Sequence, residues 1–346
     1  MVAPRSRGPV LAYGILFTNG AVKAWPALCL CLSLSGCSGL QSALDPAGEE
    51  ARKVAQLFWV MVIAGSLIWL AVVGLLVHAT HGRRDSLSEQ AAGNVIFWCG
   101  AAIPSVLLFL LLVYALWLMP GLRPFARADE PSALRVEVTG EQFWWRVAYR
   151  AADGTAPVFS ANEIRIPVGE RVEFLLNSTD VIHSFWIPAL GGKMDMIPGR
   201  QNHLSLLATK PGTYRGPCAE YCGTSHALMA FTAIALEPED FRQWLATEAA
   251  PSPGVGSAGR DIFLRHGCGA CHRVAGTEAE GSVGPDLSHV GSRATLGAGV
   301  LPNDEEALRR FIRHPQLIKP GSKMPGFSML SEQDIAAIAT WLKGLE

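Results

Sequence analysis

The sequence predicts a multidomain protein built from a pair of membrane-spanning helices, a β-sandwich and a small all-α domain. Two long apolar runs occupy the first third of the chain, and short stretches of alternating apolar and polar residues fill its middle. A segment rich in Pro, Gly and Ser then precedes a final helical stretch. With 346 residues, of which 49% are hydrophobic, the chain is too long for one ordinary domain and unusually apolar for a protein without membrane segments.

The charge pattern excludes one class of partner. The chain carries 29 basic and 30 acidic residues, for a formal net charge of −1. It has no basic block of the kind that binds nucleic acid and no acidic tail of the kind that stays disordered. We therefore expect a membrane and other proteins as partners, and no nucleic acid.

The first residues have the pattern of an export signal. Basic residues precede the apolar run AWPALCLCLSLSG, which is too short to cross a bilayer. The run ends in LSGC, which resembles the lipobox of bacterial lipoproteins. We predict a signal peptide over residues 1–36 and lipidation of Cys37.

Two spans are predicted within residues 37–122, at about 54–78 and 94–119. Val54 to Val77 and Asn94 to Met119 contain no charged residue, and each run exceeds the roughly 20 residues that a spanning helix needs. The connection between them carries Arg83 and Arg84, as short cytoplasmic loops commonly do. Together with the export signal, this predicts an antiparallel helical hairpin with the rest of the chain outside the cytoplasm.

The middle of the chain predicts a β-sandwich over residues 132–248. Stretches such as LRVEVTG, NEIRIPVGERVEFLLNS and AFTAIALEP alternate in polarity and are bounded by turn residues. A short helical piece, PEDFRQWLATEA, and a linker over residues 249–258 follow. Residues 259–346 then form a separate helical domain, whose last helix places Ile335, Ile338, Trp341 and Leu342 on one face.

One loop of the predicted sandwich gathers several metal-binding residue types. CAEYCGTSHALM holds Cys218, Cys222, His226 and Met229, and His183 is available from a strand end. In an exported protein a disulfide is the default for paired cysteines, and a Cys2His2 zinc site is a second possibility. Copper is favoured over both, because a thioether adds little for zinc and structural zinc loops use the tighter C-x2-C turn.

The same loop resembles the copper A loop of cytochrome c oxidase subunit II. The segments DVIHSFWIP and ALGGKMDMIPGR resemble the other characteristic stretches of that family. The resemblance implies a cupredoxin-like sandwich and a binuclear copper A centre. The implied copper ligands are His183, Cys218, the backbone carbonyl of Glu220, Cys222, His226 and Met229.

The resemblance also implies a second metal and a role for each copper ligand. The two cysteines would bridge both coppers, each histidine would bind one copper, and Met229 and the Glu220 carbonyl would be weak ligands. The carboxylate of Glu220 would face a magnesium or similar ion at the interface with subunit I. Asp195 lies in the stretch that approaches this interface.

The final domain carries a haem-attachment motif. HGCGACH contains C-x-x-C-H, which predicts thioether bonds from Cys268 and Cys271 and iron ligation by His272. Met324 is the expected second axial ligand, and Met329 is the alternative. VGPDL resembles the loop of small cytochromes c that packs on the proximal histidine, which implies a class I cytochrome c domain.

Two stretches depart from the family pattern. Phe143 stands where subunit II usually has the tryptophan through which electrons enter, so Phe143 or its neighbour Trp144 is expected to take that role. The second span has no acid near its start, and the nearest is Glu89. A contribution of this subunit to a proton channel therefore does not follow from the sequence.

A cytochrome c fused to subunit II resembles the caa-type haem-copper oxidases of bacteria. The expected function is electron transfer from cytochrome c or another donor through haem c to copper A, and on to subunit I, where oxygen is reduced with proton translocation. The expected partners are subunits I and III in the bacterial cell membrane. The alternative is a membrane-tethered electron carrier outside an oxidase. Nitrous oxide reductase would need a catalytic domain rich in histidines, and the chain has nine in all.

Overall fold

The computed structural model describes residues 38–81, 88–122, 134–151, 156–255 and 257–346. The predicted signal peptide, the lipidation site Cys37 and the predicted cytoplasmic pair Arg83 and Arg84 lie outside these ranges. The three predicted parts of the chain are all present: apolar helices, a β-sandwich and a helical domain.

Two apolar helical stretches precede the sandwich. Helix α1 spans Glu49–His81, and the second stretch comprises α2 (Glu89–Phe97), a π-helical turn (Trp98–Ala102) and α3 (Ile103–Leu118). Their most apolar 18-residue windows have mean hydropathies of 2.7 and 2.5, and neither window is buried inside the protein. At 1.5 Å per residue, both stretches are long enough to cross the roughly 30 Å hydrocarbon core. The prediction of two apolar helical stretches long enough to span a bilayer is confirmed.

The start of α1 is attached to the sandwich rather than free of it. Ala47 donates its N–H to Ala189 O at 2.7 Å and accepts the Thr209 N–H at 2.7 Å. Glu50 is 5% exposed. Its carboxylate accepts Arg171 Nη1 at 2.7 Å and the Leu207 N–H at 3.1 Å. These bonds join the first turn of the membrane helix to the edge of the sandwich.

The sandwich is formed by two main sheets and a small hairpin. The strands are β1 Leu134–Glu141, β2 Trp144–Ala151, β3 Val158–Ala161, β4 Glu163–Pro167, β5 Arg171–Ser178, β6 His183–Phe185, β7 Met194–Met196, β8 Asn202–Leu207, β9 Gly212–Pro217 and β10 Ala230–Leu236. The larger sheet has the order β3-β2-β1-β5-β8 and the smaller has the order β4-β10-β9, while β6 and β7 pair with each other as the hairpin. The β1–β5 and β4–β10 pairs are parallel and the others antiparallel.

Alternation of side chains fills the space between the sheets. In β5, Val172, Phe174 and Leu176 are fully buried while their neighbours are partly exposed, as a half-buried strand requires. Aromatic rings complete the core at the end that carries the loop between β9 and β10. There Phe185 stacks on Phe231 with ring centroids 4.8 Å apart. The loop between β9 and β10 is therefore supported by a rigid, apolar base.

The helical domain follows a connection that bonds to it at two of the described residues. Helix α4 (Pro238–Ala249) ends the sandwich region. Beyond it, Ala250 O bonds to His289 Nε2 at 2.8 Å, and Gly254 O accepts Trp341 Nε1 at 3.1 Å. The domain then comprises α5 Ala258–Arg265, β11 Thr295–Leu296, β12 Leu301–Pro302, α6 Glu305–Arg313, α7 Pro315–Ile318 and α8 Glu332–Lys343.

The amphipathic pattern of the last helix matches its burial. Ile335, Ile338, Trp341 and Leu342 of α8 are all buried in the core of the helical domain. Phe263 of α5 packs edge-on against Trp341, with ring centroids 5.1 Å apart. The first and last helices of the domain therefore close against each other around one apolar core.

Replacing Arg171 by methionine should destabilise the region of the sandwich that holds α1. The substitution leaves the largely buried Glu50 carboxylate without its charged partner, which should cost about 1–3 kcal/mol of unfolding free energy. Denaturant unfolding of the detergent-solubilised chain would measure the loss. The matched control is Arg135→Met, because Arg135 is 55% exposed in its pair with Glu173. That change should cost less than about 1 kcal/mol, and equal losses in the two variants would contradict the role given to Arg171.

Candidate metal centre

The segment Cys218–Met229, which we call the copper-type loop, runs between two neighbouring antiparallel strands. Cys218 directly follows β9 and Met229 directly precedes β10. The Cys218 N–H donates to Met229 O at 2.8 Å, which closes the base of the loop. All ligand candidates of this segment are therefore held over the end of a single strand pair.

The small β6–β7 hairpin brings His183 to the same place. His183 is the first residue of β6 and is fully buried. The next residue, Ser184, accepts the Ala219 N–H at 3.0 Å, which binds the hairpin to the loop. This contact places the His183 ring beside Cys218, across 35 positions of sequence.

The donor atoms surround two sulfur atoms rather than one central point. Cys218 Sγ lies 3.9 Å from Cys222 Sγ, 3.9 Å from His183 Nδ1 and 3.3 Å from Glu220 O. Cys222 Sγ lies 3.6 Å from His226 Nδ1 and 3.7 Å from Met229 Sδ. Each sulfur thus has its own histidine and its own weaker donor.

The cysteine pair is not a disulfide. A disulfide bond is about 2.05 Å long, whereas these sulfurs are 3.9 Å apart and both thiols are free. Both side chains are buried in the apolar core of the sandwich. The default expectation for paired cysteines in an exported protein is therefore not met here.

Electrostatics favour one thiolate and one thiol in the cysteine pair. Hydrogen bonding from the Cys222 thiol holds the pKa of Cys218 well below its ordinary value, and the same bond raises the pKa of Cys222. Burial lowers the pKa of His183, but hydrogen bonds with Cys218 and Asp180 outweigh it and raise that pKa. A divalent or monovalent metal would displace the remaining proton, since thiolates and neutral imidazoles are the binding forms.

The donor set fits two metal ions that share the sulfurs. Among the described residues, the His, Cys, Asp and Glu donors that converge within 4.8 Å are those of His183, Cys218 and Cys222. His226 lies on the far side of Cys222 and does not join that group, so a single tetrahedral zinc is not the arrangement that these atoms favour. Thiolate, imidazole and thioether donors together suit copper.

Asp180 is a functional residue that the sequence reasoning missed. Its carboxylate accepts the N–H groups of Gln142 and Val181, each at 2.8 Å, and lies 2.9 Å from His183 Nε2. Burial tends to raise the pKa of Asp180, but these hydrogen bonds lower it overall. A carboxylate behind a ligand histidine fixes the ring and its tautomer, so that Nδ1 faces the sulfur. The only sequence signal is an acid three positions before the histidine.

The carboxylates of Glu220 and Asp195, which the resemblance places at or near the subunit interface, both pair with the ammonium group of Lys193. Lys193 Nζ lies 3.3 Å from Glu220 Oε2 and 2.9 Å from Asp195 Oδ1. Ser184 Oγ donates to the same oxygen of Asp195 at 2.8 Å. The hydrogen bond from Lys193 lowers the pKa of Asp195. These side chains are half exposed on the surface beside the copper-type loop.

The four predicted haem residues line one apolar cavity in the helical domain. Cys268 begins a 3-10 turn, which leads to Cys271 and His272. His272 Nδ1 lies 2.8 Å from Pro285 O, so Nδ1 donates and the lone pair is left on Nε2. Burial lowers the pKa of His272, which keeps the imidazole neutral. A neutral, oriented imidazole with two nearby thiols fits covalently bound haem.

The structure separates the two candidate methionines. Met324 lies on the wall of the cavity and packs against the core of the domain. Met329 is 75% exposed on the surface. Only Met324 is placed to face a group bound in the cavity.

The residues proposed for electron entry lie between the two centres. Phe143, Trp144 and Gln142 of the sandwich line the same apolar cavity as the four predicted haem residues, and we call it the haem-type cavity. Phe143 is 5% exposed, and Gln142 Nε2 donates to Cys222 O at 2.6 Å. Gln142 therefore touches both the cavity and the copper-type loop, a contact that no pattern in the sequence indicated.

Comparison with known families identifies both extracytoplasmic parts. The family described as cytochrome C oxidase subunit II, periplasmic domain, matches residues 157–236. The cytochrome c family matches residues 256–346.

Similar proteins cover nearly the whole chain. Cytochrome c oxidase subunit 2 of Alkalihalophilus pseudofirmus is 37% identical over 345 residues, covering 94% of this chain and 97% of that protein. The subunit 2 of Bacillus sp. strain PS3 is 31% identical and covers 92% and 95%. The crystal structure of the periplasmic domain of subunit II from Bradyrhizobium japonicum is 33% identical over 34% of this chain and 94% of that one, with a TM-score of 0.32.

Replacing Gly284 by alanine should disturb the histidine of the cavity. A Cβ at this position would lie 2.5 Å from His272 Cε1, so the ring would have to move. We expect loss of the normal axial ligation, visible as a changed ferric absorption spectrum, with the chain still folded. The control is Gly344→Ala, whose Cβ would meet its nearest atom, Trp341 O, at 3.4 Å. An unchanged spectrum in Gly284→Ala would show that His272 does not sit as described.

Proposed function

This chain belongs to the cytochrome c oxidase subunit II family, and from that premise we propose that it carries electrons from a haem c to a binuclear copper A centre. It is a subunit II with a fused cytochrome c domain, and its two apolar helices and its family indicate a membrane protein with periplasmic domains. The proposal adds the identity of the cofactors, the residues that hold them and the direction of transfer.

One observation carries the copper assignment. Two free, buried sulfurs lie 3.9 Å apart, and each has a different histidine Nδ1 within 3.9 Å. Cys218 and Cys222 would both hold the copper pair, together with His183 and His226. Met229 Sδ and Glu220 O would be the weaker donors. The strands that flank these residues resist rearrangement of the ligands. An electron-transfer site requires this, because its geometry should change little when it gains or loses an electron.

In the helical domain, Cys268 and Cys271 would attach the porphyrin, and His272 and Met324 would be the axial ligands. Pro285 O orients His272, and the apolar wall around Met324 excludes water. When bound, the haem and the copper pair would supply one-electron redox chemistry.

The chain's own residues suggest the route between the centres. Phe143 and Trp144 lie on the haem-type cavity, and Gln142 reaches from that cavity to the Cys222 carbonyl. We propose that electrons pass through Phe143 or Trp144 in place of the tryptophan that subunit II usually has. Arg146 lies over the Trp144 ring, 4.7 Å from its centroid, and holds that ring in place.

The wider assembly follows from the family. We propose subunits I and III as partners, with cytochrome c or another protein as donor, in the inner membrane of a bacterium. The complex would be a proton-translocating cytochrome c oxidase whose oxygen-reducing site lies in subunit I. Glu220 and Asp195 would face a magnesium ion at that interface, where Lys193 now satisfies both carboxylates. Residues 1–36 would be a signal peptide and Cys37 a lipidation site.

Metal analysis tests the proposal directly. The purified chain should contain about two coppers and one iron per chain, with the near-infrared absorption of a mixed-valence copper pair. Replacing Cys222 by serine should abolish that absorption and leave the iron content unchanged. Cys99→Ser is the matched control, because Cys99 is an exposed residue of the π-helical turn in the second apolar stretch. Zinc at the site, or a Cys218–Cys222 disulfide in the metal-loaded protein, would refute the copper assignment.

The axial ligand of the haem is tested by exchanging methionines. Met324→Leu should lower the reduction potential by on the order of tens to hundreds of millivolts, because a thioether ligand raises it. Met329→Leu should leave the potential unchanged, since Met329 is 75% exposed. The opposite pattern would make Met329 the ligand.

A further inference from the structure

The helical domain meets the sandwich at several places. One of them is the short segment Lys319–Lys323, which we call the docking segment. It follows α7 and directly precedes Met324. Its sequence, KPGSK, matched no motif and took no part in the proposed function. Three of its five residues nevertheless approach residues beside the copper-type ligands.

The first contact is to the segment of His226. Pro320 O accepts a hydrogen bond from Ser225 Oγ at 2.5 Å, and Ser225 is fully buried. Because Ser225 is the chain neighbour of His226, this bond joins the docking segment to one histidine of the copper-type site.

The second contact is to the aromatic residue between the two centres. Gly321 has φ +79°, and a Cβ there would lie 3.1 Å from Phe143 Cε2 and 3.8 Å from Thr224 Cβ. Glycine permits both the left-handed backbone and this close approach. The docking segment therefore packs against Phe143, a ring that is only 5% exposed.

The third contact is to the segment of His183. Lys323 Nζ lies 3.4 Å from Asp180 Oδ2, and Asp180 Oδ1 lies 2.9 Å from His183 Nε2. The lysine is 62% exposed, so the ion pair adds little stability. Its position still links the residue before Met324 to the carboxylate that orients a copper-type ligand.

The base of the docking segment reaches the segment of Met229. Lys319 is 3% exposed and donates Nζ to Gly297 O at 2.7 Å. The residue after Gly297, Ala298, accepts the Ala230 N–H at 3.0 Å, and Ala230 follows Met229. Burial lowers the pKa of Lys319 to about 7. A lysine side chain buried to this extent indicates that the base of the docking segment is tightly packed.

We propose that the docking segment fixes the haem domain against both ligand-bearing segments of the copper site, the copper-type loop and β6, so that electrons cross in one set geometry and no outside donor reaches Phe143. This inference rests on the proposed function. A tethered domain would instead meet its acceptor by repeated encounters, at a rate set by the linker. An external donor must then deliver its electron to the haem domain and not to the sandwich.

The test uses the assembled oxidase with three substitutions in this chain: Ser225→Ala, Gly321→Ala and Lys323→Gln. Loss of docking should raise amide hydrogen exchange in residues 142–147 by about tenfold, because a covered segment becomes free to open. The rate of haem-to-copper transfer after photoreduction of the haem should fall by about tenfold, because fixed orientation is lost. Haem and copper content and the absorption spectra should not change.

Matched variants separate docking from general damage. Gly192→Ala places a Cβ in open space, and Lys210→Gln removes another exposed lysine from an ion pair, with Asp45. Both should behave as the unsubstituted protein. The single variants Ser225→Thr and Lys323→Arg keep the hydroxyl and the charge, respectively. In each of them, both the hydrogen exchange and the transfer rate should match the unsubstituted protein.

Two results would overturn the proposal. If exchange in residues 142–147 is unchanged in the triple variant, the segment does not dock the domain. If hydrogen exchange in these residues rises but the rate of haem-to-copper transfer is unchanged, electron transfer does not need a fixed geometry between the domains. Missing copper or iron in the unsubstituted protein would instead defeat the proposed function, and the exchange measurement would still decide the docking role.

Discussion

The structure depends on keeping two sulfur atoms close together but unbonded. Cys218 and Cys222 lie 3.9 Å apart in a buried loop, where oxidation would otherwise join them. The loop base, closed by Cys218 N–H and Met229 O, and the contact of Ala219 with Ser184 hold the Cys218 end of the loop. The hydrogen bond from Gln142 to the Cys222 carbonyl holds the other cysteine. The stacked rings of Phe185 and Phe231 form the floor beneath them. Every other donor is then placed relative to this pair.

Buried polar groups around this pair are satisfied from outside the loop. Asp180 takes hydrogen bonds from two backbone N–H groups and faces His183, so the ring is fixed from behind. Gln142 reaches the Cys222 carbonyl. Both residues belong to the side of the sandwich that meets the haem domain. The supports of the metal site and the interface between the domains are consequently the same residues, and a change in one alters the other.

The sequence predicted the parts of this molecule better than their arrangement. The apolar spans, the sandwich strands and the last helix follow from periodicity, because hydrophobic burial sets each pattern locally. The copper and haem ligands were predicted from short motifs. Gln142, Ser225 and Lys319 were not, because each acts through a contact far away in the sequence, as when Ser225 bonds to Pro320. Asp180 lies only three positions before His183, but a single acid at that spacing is not a motif. The three-residue strand β6 is too short to carry a periodic signal.

The attachment of α1 to the sandwich has a consequence for how the molecule sits at the membrane. Glu49 and Glu50 bind Arg171 from the first turn of the helix, and Ala47 is hydrogen-bonded to residues of the sandwich on both sides. At the start of α1, the described residues thus leave no flexible stalk between the helix and the sandwich. The tilt of one helix in the bilayer dictates the height and the facing of the sulfur pair above the lipid surface. Changes in bilayer thickness would reach the redox centre as a rigid rotation.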